Sequence, residues 1–205
     1  MNIINKSILS AIYVSSITQR VPVEIIKEKS HLSEEFINKR IENMIKNDLI
    51  NDDKQSLTEL GRTSLRVILA GGVFDIIHPG HIHTLNSAKS LGDVLVVVVA
   101  TDNTAQKMKK RKPLHGQEQR RSLVNSLAMV DHCVIGHEGD IFKTVEQIKP
   151  EVIALGYDQI HQEKFIVDGC RKLNLNIKVA RLQSPIPEIS SSEIERAYGK
   201  DIHGI

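Results

Sequence analysis

Two histidines separated by a Pro-Gly pair are the strongest candidates for chemistry in this sequence. His78 and His81 flank Pro79 and Gly80 at the point where a helical pattern begins. A helix N-terminus presents unpaired N–H groups and the positive end of the helix dipole, so it attracts phosphate. Two imidazoles at this position add donors for the same anion, and Gly80 lets the backbone come near it. The spacing therefore predicts a phosphate-binding turn.

Other kinds of site fit this segment less well. No Gly-Lys-Ser/Thr follows, so the turn is not a Walker loop, and the segment holds no G-x-G-x-x-G dinucleotide motif. A metal site is the remaining alternative, because a spacing of three can place two histidines on one helical face. No third ligand is evident, however, and Pro79-Gly80 is a poor helix interior. Ordinary surface or core positions are expected for His83, His115, His132 and His137.

A basic segment in the middle of the chain offers positive charge for the same anion. Residues 105–121 contain seven Lys or Arg against one Glu, although the whole chain has a net charge of only +2. Lys107 and Lys110 are the candidates to neutralise a polyphosphate. The run 107–112 is equally well explained as a solvated loop, because charge runs are commonly exposed. Arg120 and Arg121 open a helix and have either the same role or none.

Polar residues after other predicted strands and helices complete the candidate site. Ser190, Ser191 and Ser192 precede the helical segment EIERAYG, where they cap the helix, bind phosphate, or do both. Asp75 and Asp102 lie at or after strand ends, where we expect them to orient the histidines or a metal. Asp158 follows a later strand and is the candidate contact for a nucleotide ribose or base.

The elements that must position these residues follow from residue 66 onward. Short β-rich apolar runs alternate with helical patterns there, which predicts right-handed crossovers and a doubly wound, Rossmann-like parallel sheet. Ligands in such sheets bind outside the carboxyl ends of the strands. The five predicted strands cover residues 67–70, 94–100, 132–136, 152–156 and 177–181.

The first 64 residues have a different pattern, with one glycine and mainly helical periodicity. Ser33 is a predicted N-cap of a helix over 33–47, and 49–58 reads as a small hairpin. The stretch NDLINDDKQSLTELGR (47–62) resembles the wing and exit helix of winged helix-turn-helix domains. DNA binding is not favoured, because nine Lys or Arg balance nine Asp or Glu in this part. We expect a winged-helix-like domain over 1–64 and an α/β domain over 65–205.

Composition restricts the class of protein and its compartment. The chain has 205 residues, of which 40% are hydrophobic and 25% charged, as in a globular protein. The apolar run 94–100 is far shorter than the roughly 20 residues that span a bilayer, so no membrane association is expected. No secretory signal is visible, and Cys133 and Cys170 read as buried thiols in a reducing cytoplasm.

Two motifs carry a resemblance to a known family. GGVFDIIHPGHIHTL (71–85) resembles the H-x-G-H signature of the cytidylyltransferase-like nucleotidyltransferases, and PEISSSEI (187–194) resembles their second signature. The intervening segments 96–136 and 148–159 are similar to those of archaeal FAD synthases. The resemblance covers about residues 66–197, so 1–64 is an addition to it. Val73 stands where the family usually has Thr, which removes a hydroxyl but not the backbone contacts to phosphate.

The resemblance implies transfer of AMP from ATP to FMN, giving FAD and pyrophosphate. The alternative is a relative that couples CTP to glycerol 3-phosphate or another phosphorylated alcohol. Such cytidylyltransferases usually have an Arg where this sequence has Pro185, which counts against this alternative. The alternative of another class is a winged-helix transcriptional regulator with a nucleotide- or flavin-sensing domain.

The same resemblance assigns roles to the candidate residues. His78, His81, Lys107 and Lys110 are the expected catalytic residues, and Mg²⁺ is expected to bind through the substrate phosphates. We also expect a homodimer. The expected nucleotide-binding residues are Val73, Phe74, Asp75, His78, Pro79, Gly80, His81, Asp102, Asp158, Ser190, Ser191 and Ser192.

Overall fold

The protein is described by a computed structural model that covers residues 1–156, 159–183 and 194. The chain divides into two compact units. The first comprises 1–66 with 92–94, and the second comprises 67–91 with 95–205. Within the described part of the chain, no helix is long and apolar enough to cross a membrane.

The first unit contains four helices. They are α1 (Ile3–Thr18), α2 (Pro22–Lys29), α3 (Glu34–Lys46) and α4 (Glu59–Thr63). The Ser33 hydroxyl accepts a hydrogen bond from the Phe36 N–H, so the predicted N-cap is confirmed. An antiparallel bridge joins Ile50 to Leu57 where a hairpin was expected. The winged-helix assignment of this unit stays a prediction.

In the described part of the second unit, five strands form a parallel sheet. They are β1 (Val67–Gly72), β2 (Val94–Val99), β3 (His132–Ile135), β4 (Val152–Leu155) and β5 (Lys178–Arg181), in the spatial order β3-β2-β1-β4-β5. The predicted Rossmann-like sheet and each of its five strands are therefore confirmed, within one or two residues at the ends. Residues of β1, β2 and β4 are buried along nearly their whole length, as expected for central parallel strands.

Five described helices connect or follow these strands. They are α5 (Pro79–Lys89), α6 (Asp102–Lys109), α7 (Gln117–Asn125), α8 (Ile141–Ile148) and α9 (Ile160–Lys172). The strand order reverses between β1 and β4, which pair in register from Ile68 with Val152. A reversal of this kind opens a crevice at the carboxyl ends of the strands, where α/β proteins bind ligands.

Both cysteines are free and buried. Burial raises the pKa of the Cys133 thiol to about 12 and also raises the pKa of Cys170. Neither thiol is therefore a nucleophile at neutral pH, because the thiolate is the reactive form.

Candidate active site

The turn from β1 into α5 has a backbone conformation that is unusual for its residues. Phe74 has a φ of +53°, in the left-handed region that costs a non-glycine residue roughly 1–2 kcal/mol. Its ring is buried and lies over Gly72, where a Cβ atom would come within 2.9 Å of the Phe74 Cε2. Glycine at 72 is therefore required by the ring that the turn brings back onto the strand.

The two histidines lie side by side at the start of α5, where His78 is the N-cap residue. Their ring centroids are 3.9 Å apart, and the Phe74 ring is 5.0 Å from that of His81. Burial lowers the pKa of His81 to about 4, and the nearby positive charges of His78 and Lys109 act in the same direction. His81 is consequently a neutral imidazole at physiological pH, able to donate one N–H.

A cavity of about 250 Å³ lies against this pair at the carboxyl end of β1. Its wall includes residues from the β1–α5 turn, the first turn of α5 and the last turn of α6. Among them are Val73, Phe74, His78, Gly80, His81 and Lys109. Because imidazoles, a helix N-terminus and an ammonium group meet here, the cavity suits a polyphosphate.

The lysine in this wall is not one of the two that were predicted. Lys107 and Lys110 are exposed and do not line either of the cavities at the end of β1. Lys109 lies four residues after the buried Ala105, so it shares the face of α6 that points into the unit. The spacing of four residues from the apolar Ala105 was therefore the sequence signal that points to Lys109.

Asp75 holds the basic segment against the β1–α5 turn. Its carboxylate is buried and accepts hydrogen bonds from the Arg111 guanidinium at 2.8 Å and from the N–H groups of Leu114 and His115 at 2.8 and 3.3 Å. The structure thus places Asp75 against the basic segment, and its expected role toward the histidines or a metal stays a prediction. Its lone pairs are used by Arg111 and the following backbone.

Arg120 joins three loops of the site and is fully buried. Its guanidinium donates to the Val73 carbonyl at 2.7 Å, to the His115 carbonyl at 2.9 Å and to Asp102 Oδ1 at 2.7 Å. Desolvation raises the pKa of Asp102, but hydrogen bonds and the charge of Arg120 outweigh it, so the pKa lies below its usual range. Asp102 therefore pairs with Arg120 rather than orienting the histidines, and Arg120 is not placed to contact phosphate.

Sequence reasoning also missed two glutamines at the reversal of strand order. The Gln159 side chain accepts from the Gly156 N–H at 2.7 Å and donates to the Gly71 carbonyl at 3.2 Å, so it links the ends of β4 and β1. Gln159 and Gln162 both line the cavity beside the histidines. Gln159 stands directly after Asp158, and Gln162 lies three residues further on, so their position after β4 was the only sequence signal.

Asp158, Ser190, Ser191 and Ser192 lie outside the described residues. In the described ranges, no cluster of three or more His, Cys, Asp or Glu side chains is arranged to hold a metal ion.

Comparison with known proteins agrees with this geometry. A family model described as Cytidylyltransferase-like matches residues 69–197. The FAD synthase of Picrophilus torridus is 52% identical over 130 residues, which are 63% of this chain and 93% of that protein. The FAD synthase of Aciduliprofundum boonei is 50% identical over 116 residues, or 57% of this chain and 77% of the relative.

A solved structure matches the same part of the chain. The lipopolysaccharide core biosynthesis protein of Thermoplasma volcanium is 43% identical and superposes with a TM-score of 0.56 over 58% of this chain and 98% of that one. The strand order, the histidine turn and a family match that spans most of the second unit lead to one assignment. This chain belongs to the cytidylyltransferase-like family of nucleotidyltransferases.

Proposed function

We propose that the protein is an FMN adenylyltransferase, which forms FAD and pyrophosphate from ATP and FMN. The observation that carries the proposal is the 52% identity to a protein named FAD synthase, nearly all of whose length is matched. The matched segment contains the complete histidine cavity, with His78, His81 and Lys109. The cavity supplies the chemistry that transfer of a nucleotidyl group requires.

The reaction is an in-line displacement at the α-phosphorus of ATP. A phosphate oxygen of FMN forms the new P–O bond, while the bond from the α-phosphorus to the α,β-bridging oxygen breaks and pyrophosphate leaves. The attacking oxygen is already anionic, so no general base has to remove a proton from it. Catalysis therefore depends on positioning and on stabilising the charge that develops on the phosphate oxygens.

His81 and Lys109 are proposed to supply that stabilisation. The His81 ring adjoins the cavity, and a hydrogen bond with the Ile76 backbone helps to fix its orientation there. A neutral donor costs less to bury than an imidazolium, so it can be held in place before the reaction. Lys109 contributes the full positive charge, and His78 begins the helix whose positive end points at the same space.

Mg²⁺ would reach the site as part of the substrate MgATP. No group of three or more His, Cys, Asp or Glu side chains among the described residues could hold the ion, and Asp75 and Asp102 are each paired with an arginine, Arg111 and Arg120. The phosphates themselves are ordinary ligands for Mg²⁺. The remaining proposed contacts, Lys107, Lys110, Asp158 and Ser190–Ser192, rest on the sequence motifs.

The direct test is incubation of purified protein with Mg²⁺ and each pairing of ATP or CTP with FMN or glycerol 3-phosphate. We expect FAD and pyrophosphate in equal amounts only from ATP and FMN, measured by chromatography and a coupled pyrophosphate assay. Formation of a CDP-alcohol without FAD would remove the flavin assignment. Absence of pyrophosphate from every pairing, together with a sequence-specific gel shift, would favour the transcriptional regulator.

A further inference from the structure

A second cavity of about 320 Å³ opens at the same end of the sheet as the histidine cavity. Its inner wall is made of apolar side chains from the strands and α9, namely Leu69, Val98, Ile153, Leu155 and Ile166. The two cavities share the end of β1, including Gly71 and Gly72, and both are bordered by Met108 and Gln159. A ligand that occupies the second cavity can therefore extend into the first.

Polar groups are confined to the loops beyond the strands and to the helix ends. Thr101 and Thr104 lie at the start of α6, and His137 and Asp140 lie between β3 and α8. The cavity therefore combines an apolar interior with polar groups on its rim. It is suited to a flat ligand that is apolar at one end and has hydrogen-bonding groups at the other.

An exposed aromatic ring stands at this rim and is held there. Phe165 is 60% exposed, yet it contacts the ring of Phe142 with a centroid distance of 5.4 Å and an interplanar angle of 53°. Phe142 in turn lies against Gly169 of α9, where a Cβ atom would be 1.8 Å from the Phe142 Cζ. A glycine inside a helix costs about 1 kcal/mol relative to alanine. Here it admits the ring that positions Phe165.

We propose that this second cavity binds the isoalloxazine ring of FMN, with Phe165 as an aromatic contact at its rim. The inference rests on the proposed function, and it deepens that function by assigning the acceptor subsite. The FMN phosphate then extends past the end of β1 into the histidine cavity, where it meets the α-phosphate of ATP.

The distribution of apolar and polar groups in the lining favours the flavin ring over the adenine of ATP. Isoalloxazine has a dimethylbenzene end without hydrogen-bonding groups, which matches the inner wall formed by the strands. Its pyrimidine end carries carbonyl and N–H groups, which match the threonines and Asp140 at the rim. Adenine has ring nitrogens in both of its rings, so its burial in this wall would leave acceptors without partners.

The test is substitution of Phe165 in the full-length chain. For Phe165→Ala we expect the KM for FMN to rise about tenfold while the KM for ATP stays unchanged, because a stacking contact of ordinary strength is lost. Phe165→Tyr should restore most of the affinity. The matched control is Leu123→Ala, which truncates a 46% exposed apolar side chain on α7, outside both cavities.

A binding measurement separates this inference from the proposed function. Riboflavin lacks the phosphate, so its binding, followed by quenching of flavin fluorescence, reports on the ring subsite without turnover. We expect weaker riboflavin binding by Phe165→Ala than by wild type. Wild type that makes FAD, with flavin affinity unaffected by Phe165→Ala, would overturn the subsite alone, as would a rise in the KM for ATP instead. Wild type that binds riboflavin through Phe165 but makes no FAD would overturn only the proposed function.

Discussion

At the scale of single residues, His81 is defined by what surrounds it. The side chain is largely buried between Phe74 and His78, and Lys109 adds a positive charge nearby. Each of these conditions penalises a second proton on the ring. The same conditions would strengthen a hydrogen bond from the neutral ring to a phosphate oxygen, since electrostatic interactions gain strength where water is excluded.

Replacing His81 therefore tests the phosphate-binding role directly. We expect His81→Ala to lower kcat by at least about a hundredfold, the scale on which loss of one preorganised donor acts. His83→Ala is the matched control, because His83 lies two residues away on the same helix but outside the histidine cavity. Both variants should unfold at temperatures close to that of wild type. A near-normal kcat for His81→Ala would show that the ring has no part in the reaction.

The lowered pKa of His81 also predicts how the free protein responds to acid. Unfolding returns the ring to its ordinary pKa of 6.5, whereas the folded value is about 4. As pH falls from about 6.5 towards about 4, the unfolded chain takes up a proton that the folded chain refuses, so the free energy of unfolding falls. Above pH 6.5 the ring is neutral in both the folded and the unfolded chain, so it adds no pH dependence to the free energy of unfolding.

Denaturant titrations at a series of pH values measure this effect. We expect wild type to lose more stability between pH 6.5 and 4 than His81→Gln, which has no titrating group at this position. Subtracting the two curves removes the contribution of the carboxylates that both proteins share. Parallel curves for wild type and His81→Gln would contradict the lowered pKa.

The sequence indicates where the histidines lie more clearly than where each lysine side chain points, for a physical reason. His78 and His81 lie at a strand-to-helix turn, where backbone geometry fixes where side chains point. Lys107 and Lys109 lie on α6 and Lys110 is its C-cap residue, so the phase and the end of the helix decide which lysine faces inward. The charge run 107–112 hides that phase. Ala105 was the residue that reveals it.

At the scale of elements, the site depends on the segment 110–116 between α6 and α7, called the strap below, and on Arg120 of α7. Arg111 and the backbone of 114–115 bind the buried Asp75, and Arg120 binds the carbonyls of Val73 and His115. Strands and helices could be predicted from the sequence because their apolar periodicity is local. The strap and Arg120 join residues 36 to 47 positions apart through side chains, which no local pattern encodes.

Arg120 and Arg121 make a matched pair for testing the strap. Arg120→Met removes three hydrogen bonds and leaves two backbone carbonyls without their donor. We expect a loss of about 2–4 kcal/mol in the free energy of unfolding, with the exposed Asp102 adding little. Arg121→Met breaks only an exposed pair with Glu118 and should cost less than about 0.5 kcal/mol. If urea denaturation shows that Arg120→Met costs as little free energy of unfolding as Arg121→Met, the hydrogen bonds of Arg120 contribute no stability.

At the scale of the whole molecule, the question is what residues 1–64 add to a nucleotidyltransferase. The family match begins at residue 69, and the 130 residues shared with the Picrophilus relative account for 93% of that protein. That relative therefore has little length left for a counterpart of the first 64 residues. Equal numbers of acidic and basic residues also give this segment little attraction for DNA. We propose that 1–64 form a separate domain that takes no part in the chemistry.

Removal of residues 1–64 tests this proposal. The deletion takes away Lys6, whose ammonium group bonds to Asp93 at 2.6 Å, but it keeps the 2.9 Å bond from the Arg66 N–H to the same carboxylate. The lost ion pair is partly buried, with the Asp93 side chain 19% exposed, but the Arg66 N–H still bonds to that carboxylate, so the truncated chain should fold. We expect kcat and both KM values within a few-fold of those of the full chain, measured by FAD formation. A truncated protein with a cooperative thermal transition but no activity would show instead that the N-terminal segment completes the active site.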